Sequence, residues 1–245
     1  MSVAGQTWWI VGASEGLGRA LAQAMAAEGA RLVLSARNAG RLEDLAAGLR
    51  DARAVAFDVT DPLASATAAA AAGPVDGVIY CVGLYTPMTA QTWNPDEACA
   101  IAEANFIGAL RLLGHVVPAM IVRRRGRVVL IGSLAGHRGL PGAIGYGASK
   151  AAIMHLAENL HADLHGTGVA VQVVNPGFIE TRLTARNSFA MPQIMPPAAA
   201  AARVMRAIAG GRFSTSFPAP FAWLFLLGRW LPLGVFHALL RRGSR

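Results

Sequence analysis

The sequence has little of what marks several other classes of protein. Only 15% of its 245 residues are charged and 54% are hydrophobic, which excludes a disordered chain and suits one large α/β domain. Its two cysteines, Cys81 and Cys99, provide neither a disulfide framework nor the spacing of metal ligands. We therefore expect two buried thiols and no metal site. The apolar run Trp8–Val11 is too short for a secretory signal.

Lysine is almost absent, because Lys150 is the only one and every other basic residue is arginine. A guanidinium cannot imitate a compact ammonium. A lone lysine in such a chain predicts a site that needs this group. The alternative is a solvent-facing lysine beside a core tyrosine.

Acidic residues are absent after Glu180, where the chain has nine arginines. The first 180 residues contain 13 basic and 14 acidic groups, so the net charge of +8 lies in the last quarter. This asymmetry predicts an anionic partner, which could be a membrane surface, a phosphate-bearing substrate or nucleic acid. An arginine-rich solvated face is the alternative.

The stretch from Ser133 to Lys150 has the pattern of a catalytic site. Ser133 follows the apolar run Val128–Ile131, and Tyr146 and Lys150 are four residues apart in an apolar helix. Positions i and i+4 share one helix face, so the phenol and the ammonium lie side by side. The ammonium favours the phenolate and lowers the phenol pKa. Such a phenol can exchange a proton with a carbonyl oxygen that Ser133 holds.

A glycine-rich turn joins the first predicted strand, Thr7–Val11, to an alanine-rich helix that ends near Glu28. It reads Gly12-Ala13-Ser14-Glu15-Gly16-Leu17-Gly18. Small residues let the backbone approach a pyrophosphate, and a helix N-terminus provides free N–H groups. The spacing is Gly-x3-Gly-x-Gly and not Gly-x-Gly-x2-Gly. A chance turn is the alternative.

Arg37 follows the second predicted strand, Arg31–Ala36. In a dinucleotide fold, an acidic residue in this region binds the ribose 2′-hydroxyl and selects NAD. An arginine there instead predicts NADP(H), because a guanidinium binds a 2′-phosphate. NAD(H) is less favoured. Glu15 argues mildly against this preference, and an arginine that merely ends a strand is the alternative.

The rest of the first 217 residues alternates between strands and helices. Such alternation predicts one domain with a doubly wound parallel β-sheet, the Rossmann fold, over residues 1–217. The predicted helices are Asn38–Arg50, Asp61–Ala72 and Ala198–Ala209, and the later strands are Ala54–Val59, Gly77–Val82, Val128–Gly132, Val169–Val174 and Phe213–Phe217. Residues 218–245 form an apolar extension.

Two polar residues stand out between these elements. Asn105 lies in the apolar stretch Ile101–Leu113 and needs partners. It could bind a water that passes protons from the lysine to solvent, or be a satisfied core asparagine. Asp58, at the end of the third predicted strand, could accept a hydrogen bond from an adenine amine or cap a turn.

Together these motifs resemble the short-chain dehydrogenase/reductase family over at least residues 7–185. The matching elements are the glycine loop, Asp58, Asn105, Ser133, Tyr146 with Lys150, and Asn175-Pro176-Gly177 followed by Thr181. The resemblance implies an NADP(H)-dependent oxidoreductase. It implies that Tyr146 is the acid/base, Ser133 orients the substrate oxygen and Lys150 lowers the tyrosine pKa and binds the nicotinamide ribose. Asn105 would anchor a proton-relay water.

The resemblance also implies a set of cofactor contacts. These are Gly12, Ser14, Glu15, Gly16, Leu17, Gly18, Arg37, Asp58, Val59, Gly83, Asn105, Tyr146, Lys150, Pro176, Gly177, Ile179 and Thr181. Two features depart from the family. Val11 replaces a threonine, and Tyr80-Cys81-Val82-Gly83 replaces Asn-Asn-Ala-Gly, so the sheet must be braced by other hydrogen bonds.

The last segments predict the partners. Leu183–Pro197 resembles the family's mobile lid, and its apolar side chains favour a small hydrophobic carbonyl or alcohol substrate, such as a lipid-like ketone. Methionines that only fill the core are the alternative. The extension holds two apolar pieces, Phe221–Leu227 and Trp230–Leu240, which are too short to cross a bilayer. Their tryptophans and arginines suit peripheral contact with an anionic membrane. A homo-oligomer interface or a cover over the substrate pocket is the alternative.

The sequence therefore predicts a cytoplasmic ketone reductase, peripheral to the inner face of a membrane, that forms a homo-oligomer. The alternative is a cofactor-sensing or scaffolding protein with little catalysis on the same fold. Nucleic acid is not expected as a partner, because the arginines lack interleaved exposed aromatic residues in a recognisable module.

Overall fold

A computed structural model describes residues 2–187 and 189–243. Within these ranges it contains seven strands. They are β1 (Thr7–Val11), β2 (Arg31–Ser35), β3 (Ala52–Ala54), β4 (Gly77–Tyr80), β5 (Gly126–Ile131), β6 (Val169–Pro176) and β7 (Ser214–Phe217). All neighbours pair in parallel in the order β3-β2-β1-β4-β5-β6-β7. The predicted doubly wound parallel sheet is confirmed.

Helices connect the strands and cover both faces of the sheet. They are α1 (Gly16–Ala27), α2 (Ala39–Ala47), α3 (Pro62–Ala72), α4 (Pro95–Ala102), α5 (Gly108–Val122), α6 (Ile144–Asp163), α7 (Pro197–Gly210), α8 (Phe221–Gly228) and α9 (Leu233–Gly243). Strand order reverses between β1 and β4, and the carboxyl ends of the strands at this switch point form the usual ligand crevice of such sheets.

The core follows from the alternation of side chains along each strand. In β1, Trp8 and Ile10 point into a cluster with α1, α2 and α7, whereas Trp9 and Val11 point into a cluster with α3, α5 and α6. All four side chains are buried. A strand buried on both faces explains why Thr7–Val11 is apolar throughout.

The third strand lies earlier than the sequence predicts. The prediction was Ala54–Val59, but β3 is Ala52–Ala54. Beyond it, Asp58 turns the chain by accepting hydrogen bonds from the backbone N–H and hydroxyl of Thr60. A hydrophobic run that ends in a turn does not show which of its residues form the strand.

The segment Pro95–Val122 is one continuous helical stretch, with a π-helical turn, Glu103–Ile107, between α4 and α5. Its length and apolar composition would suffice for a membrane span. However, Leu112, Val116 and Met120 lie in the cluster between α3, α5 and the sheet. We therefore read it as a core helix.

The two apolar pieces of the C-terminal extension fold into helices, α8 and α9. Phe225 and Phe236 are buried in a small cluster with Leu134. Ser188 of the predicted lid and residues 244–245 of the extension lie outside the described residues. The expectation of two buried thiols is wrong for Cys99, which is exposed, while Cys81 is partly buried.

Candidate active site

The glycine turn after β1 has the geometry of a tight phosphate cradle. Gly12 has a φ of 93°, and a Cβ there would lie 2.9 Å from the carbonyl carbon of Cys81. A Cβ on Gly18 would lie 2.0 Å from the Gly12 carbonyl oxygen. Only glycine fits at these two positions. A chance turn would not require both.

The first turn of α1 is open to an anion. Its N-cap, Glu15, makes no side-chain capping bond, and the first turn contains no acidic residue. The N–H groups of a helix's first turn have no partner inside the helix and attract negative charge. Thr181 lies against the same turn, because a Cβ on Gly16 would be 2.9 Å from its methyl group. The residues present therefore fit a pyrophosphate.

Ser133 lies two residues after the end of β5. It is buried, and its hydroxyl accepts a hydrogen bond from the Ala135 N–H at 3.1 Å at the start of a short 3-10 turn. The Ser133 side chain is also hydrogen-bonded to Tyr146. The structure thus brings together the hydroxyl and the phenol that the sequence placed thirteen residues apart.

Tyr146 and Lys150 both lie in the first two turns of α6, as predicted. The Lys150 Nζ atom is 5.8 Å from the centre of the Tyr146 ring. Lys150 is only 3% exposed, which excludes the alternative of a solvent-facing lysine. Its ammonium donates to the carbonyl oxygens of Ile131 at 2.9 Å and Val82 at 3.2 Å, at the ends of β5 and β4.

Burial sets the pKa of both groups. It lowers the pKa of Lys150 to about 8. Burial also raises the pKa of Tyr146, although the hydrogen bond from Ser133 opposes this shift. The expectation that the pKa of the phenol falls is therefore wrong for this structure, because desolvation of the phenolate outweighs the hydrogen bond from Ser133. The phenol is neutral and can donate a proton.

Asn105 lies in the π-helical turn Glu103–Ile107 and is fully buried. Its amide N–H groups donate to the Leu84 carbonyl and the Ser149 hydroxyl, both at 3.0 Å, and its oxygen accepts from the Leu84 N–H at 2.7 Å. The side chain is thus a satisfied core amide that holds the β4 loop against α6. Both N–H groups of its amide are occupied by protein atoms, so a relay water would need another group of this turn.

The unusual segment after β4 has its own brace. The Tyr80 hydroxyl donates to the Ala104 carbonyl at 2.6 Å, and the Cys81 N–H donates to the Val11 carbonyl at 2.8 Å. These bonds tie β4 to the π-helical turn and to β1. The expectation that other groups brace the sheet is confirmed. Gly83 lies next to the lid, since a Cβ there would be 3.5 Å from Leu183.

The segment after β6 forms one wall of the crevice. Pro176 ends β6, and the Gly177 N–H donates to the Phe217 carbonyl at 2.7 Å. Ile179 pairs with Met195 at the end of the lid. The lid therefore leaves and returns at the same place, beside Thr181.

The opposite end of the crevice is exposed and charged. Arg37 lies after β2, 3.9 Å from the Asp58 carboxylate, and its side chain is 71% exposed. Val59, next to Asp58, is buried against Gly108 of α5. Ser14 and Leu17 lie in the loop and first turn already described, where Leu17 packs into the core.

Glu15 holds two arginines that the sequence analysis did not single out. Its carboxylate lies 3.3 Å from the Arg41 guanidinium and 2.6 Å from that of Arg182. Arg41 is in the first turn of α2 and Arg182 follows Thr181. Glu15 therefore links the glycine loop to α2 and to the segment after β6. Two positive partners offset the charge that argued against a 2′-phosphate.

Tyr85 is a further site residue that the motifs did not reveal. Its ring meets the Tyr146 ring edge-on, with 5.1 Å between centres, and its hydroxyl donates to Asn187 of the lid at 2.9 Å. Arg186 donates to the Tyr85 carbonyl at 3.1 Å. The segment Leu183–Pro197 therefore contacts Tyr85, whose ring packs against Tyr146. A tyrosine two residues after Gly83 was the available signal.

Among residues 2–187 and 189–243, no group of His, Cys, Asp and Glu side chains is placed to hold a metal ion. The polar groups that the structure gathers here are the Ser133 hydroxyl, the Tyr146 phenol and the Lys150 ammonium.

Comparison with known proteins agrees with this geometry. The short chain dehydrogenase family profile matches residues 6–191. An uncharacterized oxidoreductase of Myxococcus xanthus is 36% identical over 97% of both chains. The Escherichia coli 3-oxoacyl-acyl-carrier-protein reductase is 31% identical over 75% of this chain and 78% of its own. A short chain dehydrogenase from Burkholderia cenocepacia, solved in complex with NADP, superposes with a TM-score of 0.88 at 27% identity, covering 98% of this chain and 99% of that chain.

Proposed function

This chain belongs to the short-chain dehydrogenase/reductase family of oxidoreductases, and on that premise we propose that it is an NADP(H)-dependent enzyme that interconverts a hydrophobic ketone and its secondary alcohol. The observation that carries this proposal is the Ser133–Tyr146–Lys150 group. The phenol is hydrogen-bonded to Ser133 and shares a helix face with a buried ammonium.

In the reductive direction, the Tyr146 hydroxyl gives its proton to the substrate oxygen as the carbonyl carbon gains a hydride. The reduced nicotinamide supplies that hydride when bound, and the product is the neutral alcohol. Ser133 donates a hydrogen bond that holds the oxygen during transfer. Lys150 stabilises the phenolate that remains, because an ammonium beside a phenolate favours the charged form.

The preference for NADP(H) over NAD(H) rests on the exposed end of the groove. Arg37 stands where an acidic residue would select NAD, and its ion pair with Asp58 is long, at 3.9 Å, and exposed to solvent. The charge of Glu15 is matched by Arg41 and Arg182. The Burkholderia structure with NADP supports the same choice.

The lid supports a hydrophobic substrate. Phe189 of the lid packs edge-on against Phe178, with 5.9 Å between ring centres, and half of its surface is exposed. Phe178 in turn stacks on Phe221 of α8. An aromatic wall of this kind binds an apolar chain better than a polar one. Relatives named as 3-oxoacyl-acyl-carrier-protein reductases support this class of substrate.

We further propose a homo-oligomer in the cytoplasm. The outer side of α5 exposes Leu110, Ile121 and Val122, which suits an interface with a second copy. Both cysteines are free, as expected in a reducing compartment. We also propose peripheral contact of the extension with an anionic membrane. The alternative, a scaffold with little catalysis, is disfavoured because it needs none of the three catalytic groups.

The proposal is tested by NADPH oxidation across ketones graded by chain length. We expect turnover that improves with chain length and is weaker with NADH at equal concentration. If the purified protein binds NADPH but none of the ketones in the series supports NADPH oxidation, the proposed function is contradicted and the scaffold is favoured.

A further inference from the structure

The C-terminal hairpin, formed by α8 and α9, has two faces of different character. Its inner face packs on the protein through Ala222, Phe225 and Phe236, which are buried with Leu134. Its outer face exposes six large apolar side chains: Trp223, Leu227, Trp230, Leu233, Val235 and Leu239. Six exposed large apolar side chains between residues 223 and 239 are unusual on a soluble protein and indicate an interaction surface.

The outer side chains are not needed to hold the hairpin in place. A chain of aromatic contacts does this on the inner side, where Phe221 meets Phe225 and Phe225 meets Phe236 at 5.1 and 6.0 Å between ring centres. On α8, Trp223 and Leu227 are four residues apart and therefore share one side of the helix. The pattern places apolar residues on both sides of the hairpin, and within residues 2–187 and 189–243 the six outer side chains remain exposed.

Charge decides what the outer face fits. Between residues 218 and 243 the chain has arginines and no acidic residue. Arg229 is exposed, and its guanidinium lies 5.8 Å from the centre of the Trp230 ring. Tryptophan prefers the headgroup level of a bilayer, and arginine is attracted to anionic lipid. A second copy bound face to face would bring like charges together, because a two-fold interface pairs the same patch with itself.

We propose that the outer face of the hairpin docks on an anionic membrane leaflet. The hairpin lies in the interfacial plane, since an α8 of eight residues and an α9 of eleven residues are far shorter than the ~20 residues that span a bilayer. Trp223, Leu227 and Trp230 enter the headgroup boundary, and Arg229 contacts the lipid phosphates.

Hydrogen bonds join the hairpin to the loop that follows Ser133. The Arg138 guanidinium, five residues after Ser133, donates to the carbonyl oxygens of Gly228, Arg229 and Leu231. His237 lies 2.9 Å from the Gly139 carbonyl oxygen. Resting on the proposed function, this arrangement places the substrate site beside the lipid, so that a hydrophobic ketone can enter from the membrane.

The test is sedimentation of the full-length protein with vesicles of phosphatidylcholine, with and without phosphatidylglycerol. We expect retention on the anionic vesicles that is lost at high salt. Replacing both tryptophans, as W223S/W230S, should lower the partition coefficient at least about tenfold, because two apolar side chains no longer leave water. The matched control is Trp93→Ser, because Trp93 and Trp223 are each 58% exposed. The control should bind like the wild type.

Arg229→Gln provides a second arm that leaves every apolar group in place, and it should weaken retention about fivefold. Wild-type protein that does not sediment with anionic vesicles, or equal losses in W223S/W230S and Trp93→Ser, would overturn the proposal. So would a W223S/W230S variant that loses an oligomer in light scattering and keeps its retention. Sedimentation needs no turnover, so failure of the proposed ketone reduction would be seen separately, with a short water-soluble ketone.

Discussion

At one end of the cofactor groove, three polar side chains are buried: Lys150, Asn105 and Ser133. Each forms hydrogen bonds with other protein atoms. At the other end, Arg37, Arg41 and Glu15 are exposed and held by ion pairs alone. Buried polar groups demand partners in fixed geometry, whereas exposed ion pairs contribute little to stability and rearrange at low cost. The first end therefore suits proton transfer, and the second suits recognition of charge.

The largest expected effect tests the buried end. Tyr146→Phe keeps the ring and deletes the proton donor, so turnover of a ketone should fall about 10³-fold while NADPH affinity is retained. Steady-state kinetics and fluorescence titration with NADPH measure the two quantities. Tyr85→Phe is the matched control, because it removes the hydroxyl of the adjacent tyrosine. Because that hydroxyl also contacts Asn187 of the lid, we expect Tyr85→Phe to lower turnover only about threefold. Equal losses in both variants would remove the special role of Tyr146.

The next effect tests the exposed end. Arg37→Ser removes the guanidinium proposed to bind the 2′-phosphate, so NADPH should bind about 30-fold more weakly, with NADH binding nearly unchanged. Arg50→Ser is the control, because Arg50 is exposed beyond the far end of α2. An equal loss of NADH affinity in Arg37→Ser would show that the residue supports the fold of the loop and does not bind the 2′-phosphate.

The pH dependence tests whether the ammonium acts as described. Burial lowers the pKa of Lys150 to about 8, so the charged form is present below this pH and is lost as the pH rises through it. Activity in the reductive direction should therefore fall by about tenfold per pH unit above that value, because the neutral amine of Lys150 does not stabilise the phenolate as the ammonium does. Tyr146 contributes no loss there, since burial raises its pKa. A flat profile up to pH 10 would contradict this role of Lys150.

The smallest expected effect tests whether the charge of Glu15 weakens NADPH binding at the exposed end. Glu15→Gln releases Arg41 and Arg182 and removes a negative charge from the glycine loop. NADPH should bind about threefold more tightly at low salt, and the gain should shrink as salt screens it. Glu28→Gln, beyond the far end of α1, is the control and should change nothing. Weaker binding in Glu15→Gln would mean that the carboxylate organises the loop.

The same contrast explains what could be predicted from the sequence. Tyr146 and Lys150 are four residues apart on one helix, so local periodicity was enough to place them together. The partners of Asn105 are 21 and 44 residues away, and Arg182, a partner of Glu15, is 167 residues away. Such contacts depend on how the strands are ordered. Burial of the phenol, which reversed the expected direction of its pKa shift, is likewise a property of the folded chain.

The measurement that tests the central claim most directly is transfer of deuterium from NADPH labelled at nicotinamide C4 to a hydrophobic ketone. We expect the label on the carbinol carbon of the alcohol in wild-type protein, while the hydroxyl hydrogen comes from solvent. Tyr146→Phe should bind the labelled NADPH and transfer almost none of it. Label transfer at wild-type rate in Tyr146→Phe, or none in the wild type across the whole ketone series, would contradict the assignment of Tyr146 as the proton donor of a ketone reductase.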